Sequence, residues 1–125
     1  ATAAAIFLAK TRHSKEEIRD YIRENFYPLD QTLDEIRPDY EFSGSCQGSV
    51  PQSIQAFLES KNYEDALRNV ISLGGDADTM GAITGGIAEA YYGGVPEHIR
   101  REVLKRLPSE FIEVMQKFYQ KFVDK

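Results

Sequence analysis

A chain of 125 residues is long enough for one domain with a modest hydrophobic core. Its net charge of −5, without a basic stripe, argues against nucleic-acid binding, and no apolar run is long enough to span a membrane. The single cysteine cannot form an internal disulfide and favours a reducing compartment, so we predict a cytoplasmic location.

The start of the chain predicts two helices. Residues 2–9 are nearly all apolar, so we expect a helix that is buried on every face. Ser14 and Glu17 form a capping box for a second helix, which should end near Asn25 or Phe26. After a loop and a single helical turn, the alternation of apolar and polar residues at 40–43 is typical of a short extended segment.

Residues 44–50 predict a polar loop with two open interpretations. Its groups can donate hydrogen bonds to the phosphate or ribose of a ligand, or the loop can simply lead into the helix that begins at Pro51. The groups concerned are Ser45, Gln47, Gly48 and Ser49. Cys46 lies in the same loop, but a nucleophilic cysteine needs a neighbouring base, and an inert cysteine is the simpler interpretation.

Two further helices lead towards the middle of the chain. Residues 51–59 predict a helix whose inward side chains are Ile54, Phe57 and Leu58. Asn62 should cap the next helix, which runs to about Leu73. Its predicted buried face consists of Ala66, Leu67, Val70 and Ile71.

Residues 74–86 concentrate hard oxygen donors at the start of a helix. The glycine pair at 74–75 is followed by the carboxylates of Asp76 and Asp78 and the hydroxyl of Thr79. Such donors suit Mg²⁺, Mn²⁺ or Ca²⁺ rather than zinc. A carboxylate at this place can also simply cap the helix. Two like charges so close together favour a cation or strong donors between them, which weakens the capping interpretation.

Small residues dominate the helix that follows these carboxylates. Each helical glycine costs about 0.5–1 kcal/mol relative to alanine, so Gly81, Gly85 and Gly86 need a reason. We expect neighbouring backbones to approach closely there. The pair Gly93-Gly94 should end the helix.

Two helices complete the chain, the first from Pro96 to Leu107. In the second, an apolar stripe at helical spacing predicts core packing. The stripe consists of Phe111, Met115, Phe118 and Phe122. The basic residues that suit the end of this helix are Lys117, Lys121 and Lys125.

The segment Ser72-Leu73-Gly74-Gly75-Asp76-Ala77-Asp78-Thr79 resembles the C-terminal signature of the ADP-ribosylglycohydrolase family. The similarity continues through Gly81-Ala82-Ile83-Thr84-Gly85 to Ala90-Tyr91-Tyr92-Gly93. Upstream, Ser45-Cys46-Gln47-Gly48-Ser49-Val50-Pro51 is similar to the segment that precedes this signature in bacterial members. The resemblance extends from near the first residue to about Pro96.

This resemblance implies a compact, all-α, multi-helix fold and an active site with two magnesium ions, or manganese in their place. It implies hydrolysis of the glycosidic bond between ADP-ribose and a protein side chain, or a related ADP-ribosyl compound. The expected partners are therefore an ADP-ribosylated protein or an ADP-ribose-type small molecule. Asp76, Asp78 and Thr79 match the family's C-terminal metal ligands, whereas no residue matches its catalytic base.

The family's other acidic motifs do not occur in this chain. We therefore expect residues 1–125 to form the C-terminal part of a single domain that is completed by an N-terminal half. Two alternatives stay open. One is a catalytically inactive relative, crystallin-like or regulatory, and the other is a module that binds ADP-ribose without hydrolysing it.

Overall fold

The computed structural model describes residues 1–124, and every regular element within them is helical. The helices are α1 (Thr2–Lys10), α2 (Lys15–Asn25), α3 (Leu33–Ile36), α4 (Val50–Leu58), α5 (Tyr63–Ile71), α6 (Ala77–Tyr92), α7 (Glu97–Arg106) and α8 (Ser109–Phe122). A 3₁₀ turn, Arg37–Asp39, follows α3 directly. The all-α prediction is confirmed. None of the described helices has the length and apolar character needed to cross a membrane.

Local sequence signals set the ends of several helices. The Ser14 hydroxyl accepts the N–H of Glu17, and the Glu17 carboxylate accepts the N–H of Ser14, so the predicted capping box starts α2. The Asn62 side chain likewise accepts the N–H of Asp65 at 2.8 Å and starts α5. At the end of α6, Gly93 adopts the left-handed conformation with φ 82°, as predicted.

The chain divides after Gly94 into two compact units, which are described separately. In the first unit, α6 is the central helix and packs against α1, α4 and α5. Its main core cluster comprises Ala5, Ala9, Ile18, Ile22, Ile54, Phe57, Ala66, Ile87 and Ala88. The buried hydroxyl of Thr84 donates to the carbonyl oxygen of Ser53 at 2.8 Å, which ties α6 to α4.

A smaller apolar cluster lies beneath the beginning of α6. It comprises Leu33, Ala56, Val70, Leu73 and Met80, with Ile36 and Tyr40 packed against it. Met80 lies in the first turns of α6, and Leu73 lies just before the turn at 74–75 that leads into α6. The cluster therefore supports the segment that carries Asp76 and Asp78.

A lysine secures the other end of α6. The Lys15 ammonium donates to the hydroxyl of Tyr92 at 2.7 Å and to the carbonyl oxygen of Ser60. It also lies 5.3 Å from the ring centroid of Phe57 and 5.4 Å from that of Tyr91, within cation–π range. The hydroxyl of Tyr92 in turn donates to the Ser60 carbonyl at 2.9 Å.

Two expectations about burial are wrong. In α1 only Ala5 and Ala9 are buried, and the Phe7 side chain is 65% exposed, because α1 contacts its neighbours along one face. In α5 the side chain of Ile71 is 56% exposed and does not join the buried face. Residues 40–43 form no strand within the described chain, but Tyr40 has the extended backbone that the sequence predicts, and its ring packs against the small cluster.

The helical glycines are approached by side chains and not by backbones. A Cβ added at Gly85 would lie 3.4 Å from the Tyr63 hydroxyl, and one added at Gly86 would lie 3.5 Å from Cδ1 of Ile6. Around Gly81 there is open space. The prediction of close backbone packing is therefore wrong, since the neighbouring helices reach α6 through long side chains.

The second unit contains α7 and α8. The predicted stripe on α8 is exposed, with values of 56% for Phe111, 39% for Met115, 54% for Phe118 and 55% for Phe122, so the prediction of core packing is wrong. Periodicity identifies the apolar face of a helix but not what covers it. The Lys117 ammonium pairs with the Glu113 carboxylate at 2.7 Å, and Lys125 lies outside the described residues.

Candidate metal site

A tight turn after α5 delivers the two candidate carboxylates. Leu73 is buried and anchors the turn, while Gly74 adopts φ 78°, a left-handed conformation that favours glycine. The N–H of Gly74 donates to the carbonyl oxygen of Ile71 at 3.1 Å and closes the turn. The chain then reaches Asp76 at the N-cap of α6. The backbone conformation of the turn sets the direction in which the chain enters this helix.

Asp76 and Asp78 lie side by side at the start of α6. Asp76 occupies the N-cap position, but its side chain accepts no capping hydrogen bond. Asp78 is exposed, and its Oδ1 accepts the N–H of Thr79 at 2.9 Å. The neighbouring carboxyl group of Asp76, and then the Thr79 N–H, lower the pKa of Asp78 below its usual range. The turn thus presents a pair of adjacent carboxyl groups.

The donor set has the chemistry of a hard-cation site. Two carboxylates and the exposed hydroxyl-bearing Thr79 provide the oxygen ligands that Mg²⁺ and Mn²⁺ prefer. Within residues 1–124, no three His, Cys, Asp or Glu side chains come together closely enough to hold a metal ion. Asp76, Asp78 and Thr79 therefore fit such an ion as a partial ligand set, since Mg²⁺ takes six oxygen ligands and commonly keeps several waters.

The loop at 44–50 is held together by its own hydrogen bonds. Ser49 is buried, and its hydroxyl donates to the Ser43 carbonyl at 3.1 Å. The N–H of Gly48 donates to the Ser45 hydroxyl at 3.1 Å, and that hydroxyl lies 2.9 Å from the Ser43 hydroxyl. The Ser49 hydroxyl is therefore engaged inside the protein, while Ser45 remains on the exposed side of the loop.

Tyr40 brings this loop to the acidic turn. Its hydroxyl donates to the Gly48 carbonyl at 2.5 Å and lies 3.2 Å from the sulfur of Met80, near the start of α6. Burial, and then the negative charge of Asp76, raise the pKa of Tyr40. Sequence reasoning missed this residue, because no local spacing marks a tyrosine that connects two distant segments.

Two cavities of the first unit lie elsewhere. One of about 550 Å³ is at the opposite end of α6, beside Arg12, His13 and Tyr91. Another of about 350 Å³ is lined in part by Tyr27 and Gln47. Neither is lined by Asp76, Asp78 or Thr79. Asp78 and Thr79 are exposed, and Asp76 is half-buried.

The structure does not support Cys46 as a nucleophile. Cys46 is exposed in the loop. His13 lies instead between α1 and α2, where its Nδ1 contacts the Thr11 hydroxyl at 2.9 Å and the Leu8 carbonyl at 3.2 Å. His98 is an exposed residue of α7.

Comparison with known proteins identifies the family. A family model described as ADP-ribosylglycohydrolase matches residues 1–125. Neither a curated protein nor a solved structure gives a significant match. The match spans both the loop at 44–50 and the Asp76–Thr79 segment. The chain therefore belongs to the ADP-ribosylglycohydrolase family.

Proposed function

We propose that this chain carries part of the active site of a metal-dependent hydrolase that cleaves the glycosidic bond between ADP-ribose and a protein side chain, or a related ADP-ribosyl compound. Family membership suggests glycohydrolase activity. The observation that carries the metal-dependent part of the proposal is the pair Asp76 and Asp78 at the start of α6. Their carboxyl groups are adjacent, and that of Asp76 makes no capping bond that would explain its position.

We assign Asp76, Asp78 and Thr79 the role of holding magnesium, with manganese as a substitute. Magnesium held by these residues would supply Lewis-acid chemistry, orienting the ribose of the substrate and activating a water molecule. The chain contributes rigidity, because Asp76 is the N-cap of the central helix, Asp78 and Thr79 lie in its first turn, and a closed turn and a buried cluster adjoin them. A remaining acidic ligand and a catalytic base would come from the N-terminal half of the domain.

An anionic ADP-ribose group needs local positive potential, since the chain itself carries a net charge of −5. The bound cations and the N-terminus of α6 would provide it. From the loop we retain Ser45 and the backbone of Gly48 as substrate-binding groups. Ser49 was part of the same hypothesis, and its engaged hydroxyl limits it to a backbone contribution.

We retain the cytoplasm as the proposed location. The exposed thiol of Cys46 is compatible with a reducing compartment, where free cysteines persist.

Calorimetric titration with Mg²⁺ and Mn²⁺ tests the metal assignment. We expect the Asp76→Asn/Asp78→Asn variant to lose at least tenfold in Mn²⁺ affinity, because both proposed carboxylate ligands become neutral. The matched control is Asp20→Asn/Asp30→Asn, which removes the same charge from exposed positions elsewhere. The control should bind Mn²⁺ like the unaltered chain.

To test the activity, the N-terminal half of the domain is added, the metal titration is repeated, and the release of ADP-ribose from an ADP-ribosylated protein is measured. We expect tighter metal binding and release of ADP-ribose from an ADP-ribosylated protein. Metal binding that is equal in both double variants would reduce Asp76 and Asp78 to a structural role. Tight ADP-ribose binding without turnover would favour the binding module, and neither binding nor turnover would favour the inactive relative.

A further inference from the structure

Tyr40 is the residue on which the acidic turn and the polar loop meet. The turn at 74–75 and the loop at 44–50 are distant in sequence, yet both contact this side chain. Tyr40 follows the 3₁₀ turn Arg37–Asp39 with an extended backbone, ψ 128°, and its ring packs against the cluster beneath α6.

On one side, the ring limits the position of the turn. A Cβ added at Gly75 would lie 2.5 Å from Cε1 of Tyr40 and 3.0 Å from the sulfur of Met80. Real Cβ atoms do not approach other atoms so closely, so the backbone at Gly75 already rests against the ring. The turn has no room to move towards Tyr40, and Asp76 is the next residue along the chain.

On the other side, the hydroxyl holds the loop. It donates to the carbonyl oxygen of Gly48 at 2.5 Å, while the N–H of the same residue donates to the Ser45 hydroxyl. A Cβ at Gly48 would lie 2.5 Å from that of Ser43, so the loop is tightly closed around this glycine. Tyr40 therefore supports the loop at Gly48, against which the Ser43 side chain also packs.

We propose that Tyr40 is a positioning residue that joins the Asp76 turn and the loop at 44–50 into one binding unit. This inference rests on the proposed function, because that function assigns the metal ligands to the turn and the substrate contacts to the loop. A ligand that fixes one segment then restrains the other. The ring fixes the turn by contact, and the hydroxyl fixes the loop by its hydrogen bond.

Hydrogen exchange of the full chain, followed by mass spectrometry of peptides covering 43–50 and 72–80, tests this role. In Tyr40→Phe the ring remains but the bond to the Gly48 carbonyl is lost. We expect exchange of the loop peptide to become roughly two- to tenfold faster, which corresponds to the loss of one hydrogen bond. The turn peptide should change less, because the ring still supports Gly75.

The matched control is Tyr92→Phe, which also removes a tyrosine hydroxyl that donates to a backbone carbonyl, that of Ser60. It should accelerate exchange near Ser60 and leave both diagnostic peptides unchanged. With Mn²⁺ added, the unaltered chain and Tyr92→Phe should gain protection in both the turn and the loop. In Tyr40→Phe the protection should stop at the turn.

Loop exchange that is the same in Tyr40→Phe and Tyr92→Phe would overturn the inference. That result does not depend on the metal, because it is read before Mn²⁺ is added. If Mn²⁺ protects neither peptide in the unaltered chain, or protects both equally in Asp76→Asn/Asp78→Asn, the metal assignment fails instead. The two failures are therefore distinguishable.

Discussion

Two glycines near the start of α6 have opposite surroundings. Gly75 rests against the Tyr40 ring, whereas the space around Gly81 is open. A glycine in contact is required by its neighbours, and a glycine in open space only increases the entropy lost on folding. Glycine is therefore required by its contacts at position 75. At position 81 the described contacts give no reason for a glycine.

Alanine substitutions should separate these two positions. We expect Gly75→Ala to lower the free energy of unfolding by about 1–3 kcal/mol, because its Cβ would overlap Tyr40. Gly81→Ala should raise it by about 0.5–1 kcal/mol, as alanine is the better helix former. Urea denaturation measures both changes. A change of the same sign in the two variants would contradict the contact at Gly75.

At the scale of the element, α2 shows how a helix start depends on ionisation. The N–H of Ser14, and then its hydroxyl, hold the pKa of Glu17 below its ordinary value of 4.5. A lowered carboxylate pKa means that folding favours the ionised form. Its contribution is present above pH 4.5 and is lost as the pH falls through the value in the folded protein.

Thermal unfolding of Glu17→Gln across a pH series checks this linkage. The variant should melt below the unaltered chain at pH 7, and the difference should shrink as the pH falls below 4.5, because Glu17 then becomes protonated in both states. Glu16→Gln removes a charge from the same turn without breaking the capping box. A difference for Glu17→Gln that stays constant down to pH 2 would rule out the carboxylate as its source.

At the scale of the whole molecule, stability and surface properties depend on different aromatic residues. Phe57 is fully buried and makes an edge-to-face contact with Tyr91, with ring centroids 5.2 Å apart. Phe118 on α8 is 54% exposed. Burial, and not residue type, decides how much an aromatic side chain stabilises the fold.

We expect Phe57→Ala to cost about 3–5 kcal/mol, a large share of the 5–15 kcal/mol that stabilises an ordinary domain. Phe118→Ala should change stability by no more than about 0.5 kcal/mol, but should reduce binding of a dye that reports exposed apolar surface. Chemical denaturation and dye fluorescence provide the two readings. A large loss of stability in Phe118→Ala would show that its ring is covered in solution.

The residues of the candidate site could be selected from the sequence as a prediction, but their surroundings could not. Asp76, Asp78 and Thr79 were recognisable because hard oxygen donors cluster within a few residues after a glycine turn. The contact of Tyr40 with Gly48 and Gly75 could not be found in this way. It depends on how α3, α4 and α6 pack together, and no local pattern encodes that packing.

The sequence by itself determined the helical class, the main helix ends and the acidic segment. The Ser14–Glu17 box, the Asn62 cap and the Gly93 stop all act within one helical turn, so neighbouring residues contain the necessary information. Only the tertiary structure decided which apolar faces are covered and which side chains approach the helical glycines. Those outcomes are contacts between residues far apart in the chain, and their energies depend on the arrangement of all the helices at once.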